Sequence, residues 1–143
     1  MKYKYKIPTP VRTYCGWVLS TYPRAQRELR TLVSDLTPSY TASYSPTAAI
    51  RGGSTGRGAE DTIIRIESDP YYRELKRRID AVDKVLAGTS DDERSIISLV
   101  YWRGQKTLTG AAMEIGKSQT ACYCFVNDLL YRLAVELGEI RAA

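Results

Sequence analysis

Four polar residues near the C-terminal end of the chain, Gln119, Thr120, Tyr123 and Asn127, recur at the three-to-four spacing of one helix face. Amide and hydroxyl side chains presented in this way can hydrogen-bond base edges or phosphates in a DNA major groove. Around them stand Arg103, Lys106, Thr107, Lys117 and Ser118. Cations and hydroxyls of this kind hold phosphates and set register without reading sequence. The partner these residue types point to is double-stranded DNA.

The elements that would position them run from Thr107 to Leu137. Thr107 and Ser118 each stand where a hydroxyl can accept a bond from a free amide of a helix's first turn. Gly116 sits where the first helix must stop, and glycine tolerates the left-handed backbone of such a stop. Leu108, Ala111, Ala112 and Ile115 form one face of a short helix. Cys122, Val126, Leu129, Leu130, Leu133 and Leu137 form one face of a longer one. The small Ala111 and Ala112 let the second helix cross the first closely. The pattern predicts a helix-turn-helix over 107–134. The alternative is a plain helical hairpin whose polar face is merely solvated.

The 143 residues carry a formal net charge of +5 and no histidine. That charge is uneven. Residues 1–36 hold seven Lys/Arg against two Asp/Glu, whereas 59–143 hold twelve against fourteen. Phosphate attraction is the usual source of DNA affinity, so a near-neutral reading module needs basic help from elsewhere. Cys15, Cys122 and Cys124 form no Cys-x-x-Cys pair, and Cys122 and Cys124 point to different helix faces. Without histidine this argues against a metal site and for reduced, apolar cysteines in a cytoplasmic protein. No apolar run approaches a membrane span, and Met1–Lys6 lacks the apolar core of a signal peptide. No Ser, Cys or Lys has an evident activating partner, and Asp91, Asp92 and Glu93 read as a helix start. The expectation is therefore no enzyme and no cofactor.

Along the chain, Lys and Tyr alternate at the start, and Pro8 and Pro10 argue against regular structure there. This basic arm can lie along a nucleic-acid backbone, or be a frayed terminus. Residues 14–36 are helical in pattern, with Pro23 predicting either a kink or a second helix start. Arg24, Arg27 and Arg30 share a face, as a phosphate stripe or a solvated one. Residues 37–58, rich in Pro, Ser, Thr and Gly, read as a flexible linker. Residues 59–87 are helical with a break at Asp69-Pro70. From Pro70 onward the apolar spacing is heptad-like, which leaves either a dimeric coiled coil or packing on the rest of the chain. Ser90-Asp91-Asp92-Glu93 is a capping box that opens a helix to about Tyr101. Trp102–Lys106 then connects it to the helix-turn-helix.

This order of parts resembles region four of bacterial sigma factors. The matching residues are Ser90–Ile97, Tyr101-Trp102-Arg103-Gly104, Thr107-Leu108 with Ala111 and Ala112, then Gly116, and Ser118 with Cys122 at a position that is usually valine. Two positions depart from that pattern. Lys117 replaces an aliphatic residue, and the start of the second helix is neutral where such modules are rich in Arg and Lys. The whole layout is similar to the phage late-gene transcriptional activators of the RinA/ArpU type. That resemblance implies promoter-proximal DNA and host RNA polymerase as partners, inside a bacterial cell. The reading from a different class is a structural or interaction protein that uses this helical bundle to bind protein; a phage terminase small subunit, which combines DNA recognition with assembly of a homo-oligomeric ring, lies between the two.

The expected architecture is all-α. It comprises a basic arm and N-terminal helix or helix pair (1–36), a flexible linker (37–58), and a helical DNA-binding domain (59–143) with a long middle helix and a C-terminal helix-turn-helix.

Overall fold

The computed structural model describes residues 4–37 and 52–142 of the chain, with the side chains of 52–57 left aside. Among the described residues the protein is all-α. Helix α1 spans Thr9–Leu36, α2 Gly52–Ser68, α3 Pro70–Leu86 and α4 Asp91–Ile97. A π-helical turn, Ser98–Trp102, continues α4. Helices α5 (Leu108–Ile115) and α6 (Gln119–Glu136) complete the set.

Several starts and stops follow the local chemistry. The Ser90 hydroxyl accepts from the Glu93 amide while the Glu93 carboxylate accepts from the Ser90 amide, completing the capping box. Asp69 Oδ1 accepts from the Tyr72 amide at 2.9 Å and separates α2 from α3. Gly138, at φ 75°, closes α6. The Leu137 carbonyl at that end accepts from Arg77 Nη1 at 2.7 Å, a cation at the negative pole of a helix.

Two expectations change and one alternative is decided. The prolines near the start do not delay the first helix: it begins at Thr9, with Pro10 in the first turn, where no amide is needed. Of the two alternatives at Pro23, a kink or a second helix start, the second does not occur: α1 is one helix that runs through the proline. Of the expected linker, residues 38–51 lie outside the described residues, and from Gly52 the backbone is helical. The glycines there form helices poorly. However, extending a helix already nucleated by Ala59–Ser68 avoids the cost of a new nucleus.

The chain divides into two compact units. One holds the chain up to Arg24 together with Arg77 onward, and the other holds Ala25–Lys76. The expected border between an N-terminal part ending at residue 36 and a C-terminal domain starting at 59 therefore does not describe the packing. The first unit contains the principal core. Cys15, Val18 and Leu19 of α1, Val82 and Val85 of α3, Ile96 and Ile97 of α4, Ala112 of α5, and Cys122, Leu129 and Leu133 of α6 are all buried in it. In the second unit Ile66 and Leu75 are buried, while Ile63 is exposed. There Tyr71 donates from its hydroxyl to Glu28 Oε2 at 2.8 Å.

One join in the first unit has a simple physical cause. Pro23 has no amide, so the Leu19 carbonyl four residues earlier loses its helical donor. Trp102, at the end of the π turn, fills the gap: its indole Nε1 donates to that carbonyl at 3.0 Å. The Trp102 ring also stacks on Tyr22 at 5.8 Å between centroids. The π turn and its tryptophan thus fasten the start of the helix-turn-helix module to α1.

Candidate nucleic-acid interface

Helix α5, a three-residue turn and α6 form the predicted motif. The Thr107 hydroxyl accepts from the Gly110 amide at 3.1 Å, and the Ser118 hydroxyl from the Ala121 amide at 3.1 Å. Between them Gly116 adopts φ 78° and ψ 27°, a left-handed conformation. Its amide donates to the Met113 carbonyl at 3.3 Å, and the Lys117 amide to the Ala112 carbonyl at 3.0 Å. These are the paired bonds of a Schellman stop. Ala111 and Ala112 are buried on α5 and Cys122 and Val126 on α6. The small alanine side chains are what permit a close crossing.

The site residues expected from sequence separate into three groups. Gln119 and Thr120 are exposed and Tyr123 is half-buried in the first two turns of α6. Gln119 Nε2 donates to Thr109 Oγ1 at 2.9 Å, which orients the amide from the α5 side.

The second group is the expected phosphate set. Arg103, Lys106, Thr107, Lys117 and Ser118 are all exposed. Arg103 and Lys106 line one shallow groove with Leu99, Gly110, Met113 and Glu114. Two of these cations have acidic neighbours. Lys117 Nζ lies 3.5 Å from Asp92 Oδ2, and Lys106 Nζ lies 3.7 Å from Glu114 Oε2. All four side chains are about half exposed, and surface pairs of this kind are worth at most about 1 kcal/mol. A phosphate can therefore displace either carboxylate at small cost.

Asn127 is the third group and a correction. It is 1% exposed, so it cannot face a base. Its Nδ2 donates to the Tyr5 carbonyl at 3.1 Å, and its Oδ1 accepts from Arg12 Nη2. The cause is non-local. Thr120, Asn127 and Tyr131 share one stripe of α6. The chain's N-terminal segment folds over the later part of that stripe. The Tyr5 ring stacks on Tyr131 with centroids 3.9 Å apart and planes 5° apart, and Ile7 is buried in the core. No pattern local to 107–137 announces this. The one hint is Ile7, an apolar residue in an otherwise basic, proline-bearing start.

Of the cysteines, Cys15 and Cys122 are buried and Cys124 is exposed. Burial pushes the Cys15 thiol up to about 11. Among the described residues no group of three His, Cys, Asp or Glu side chains could hold a metal ion. No described helix is long and apolar enough to cross a membrane. Comparison with protein-family models, curated proteins and solved structures finds no match for the chain.

Proposed function

We propose that the protein is a sequence-specific DNA-binding transcription regulator, a phage late-gene activator acting with host RNA polymerase. The observation that carries this reading is the exposed polar start of α6, with Gln119, Thr120 and Tyr123 held out by the Ser118 cap and the Gly116 turn. A helix that enters a major groove by its N-terminal turns presents these three side chains to base edges. Gln119 can bind adenine through two hydrogen bonds, and a good pair of this type is worth about 1–3 kcal/mol of discrimination. Arg103, Lys106 and Lys117, with the hydroxyls of Thr107 and Ser118, would hold phosphates and set the register. Asn127 has no part in this reading. The activator role and the polymerase contact rest on the similarity of the whole layout to phage late-gene activators of the RinA/ArpU type.

A second reading is a helical assembly protein that uses the bundle to bind protein and reads no DNA sequence. Met113 favours it, being 78% exposed on α5 beside the groove, as does the pairing of Lys106 and Lys117 with acids. Selection of the full chain on a random duplex library separates the two. A regulator enriches a short shared motif. An assembly protein enriches none.

A further inference from the structure

The reading face of α6 is neutral, yet it does not stand alone. The N-terminal segment lies against the same helix, on the continuation of the same stripe. Asn127 holds the Tyr5 carbonyl, Tyr131 holds the Tyr5 ring, and Ile7 is sunk in the core. Lys4 and Lys6, on either side of Tyr5, are both exposed. Tyr5 thus acts as a peg that leaves its two lysine neighbours in solvent beside α6. The Lys4 ammonium lies 5.2 Å from the Tyr5 ring centroid, and the Asp128 carboxylate adds a smaller favourable charge interaction.

The spacing along the helix decides what these lysines would meet. Seven residues separate Thr120 from Asn127, or about 10 Å at the helical rise of roughly 1.5 Å per residue. A major groove is about 12 Å wide. When the first turns of α6 reach base edges, the part of the helix that carries the arm is at the wall of the groove, where the phosphates are. We propose that Lys4 and Lys6 form a phosphate clamp for the helix-turn-helix, with Asn127 and Tyr131 as the positioning residues that fix the arm along α6. The clamp rests on the regulator reading and supplies the positive charge that the first turns of α6 lack. It also gives the buried Asn127 a functional purpose: the residue acts on DNA through the arm, with no contact of its own.

Binding of the full chain to a random-sequence duplex tests this without knowledge of an operator. Each neutralised phosphate contributes about 0.9 to the slope of log affinity against log salt. The Lys4→Gln/Lys6→Gln variant, changed only at exposed positions, is expected to lower that slope by about 2 and to weaken all sequences alike. Tyr131→Leu keeps both lysines but removes the stacking partner of Tyr5, and is expected to lose part of the same slope. Asn127→Ala should lose it as well; circular dichroism establishes that each variant is folded. A parent that binds with a steep salt slope, unchanged in Lys4→Gln/Lys6→Gln, overturns the clamp and leaves the regulator reading intact. A parent that does not bind duplex at low salt overturns both.

Discussion

At the scale of single residues, the pairing of Pro23 with Trp102 makes the sharpest stability prediction. The proline leaves the Leu19 carbonyl without a helical donor, and the indole supplies one at 3.0 Å. Trp102→Phe keeps a ring against Tyr22 but strands the carbonyl, with an expected loss of about 1–3 kcal/mol in urea unfolding. Pro23→Ala restores an amide to that carbonyl, so Trp102→Phe should cost less in its background. A double-mutant cycle reads this as a coupling of about 0.5–3 kcal/mol; additive effects would contradict it. Tyr22 makes a separate prediction. Burial, together with the bond its hydroxyl donates to Asp83, pushes its phenol from the ordinary 10.0 up to about 12. The unfolded chain releases that proton first. Stability is therefore fully present below pH 10 and falls as pH rises from there towards 12. Tyr22→Phe should flatten that part of the profile. Neither residue's role was legible in sequence, because each depends on a partner more than sixty positions away.

At the scale of elements, the caps and the turn of the motif carry the architecture and were readable in advance. Thr107, Ser118 and Gly116 act within four residues of their own positions, so local chemistry alone predicts them. The same holds for Ser90 with Glu93, and for Asp69 before Pro70. Gly116→Ala forces a side chain into a left-handed backbone, and a loss of about 1–2 kcal/mol is expected. Ser118→Ala removes the cap and should cost about 1 kcal/mol. Both are read from denaturant midpoints, and a neutral result at Gly116 would mean that the turn is not held as described. The π turn was not foreseen. Ser98–Trp102 carries no proline, glycine or other local mark of a widened helix, and its form belongs with the docking of Trp102 on α1. The burial of Asn127 is hidden from sequence for a related reason. Helical spacing puts it on the stripe of Thr120, and only the return of the N-terminal segment covers it.

At the scale of the whole molecule, charge and packing join two ends of the chain. The helix-turn-helix is near neutral, and a basic segment more than a hundred residues away in sequence is packed on α6. A reading by segments divides these parts between an arm and a domain; the fold places them in one unit. The central claim, that the start of α6 reads bases, is tested most directly by fluorescence anisotropy. The full chain and its Gln119→Ala/Thr120→Ala/Tyr123→Ala variant would be titrated with a selected duplex and a scrambled one across a salt series. The account predicts that the parent prefers the selected duplex. The variant should lose that preference while keeping the salt slope, since its phosphate contacts remain. A parent with no preference, or a variant that keeps the full preference, would contradict the account.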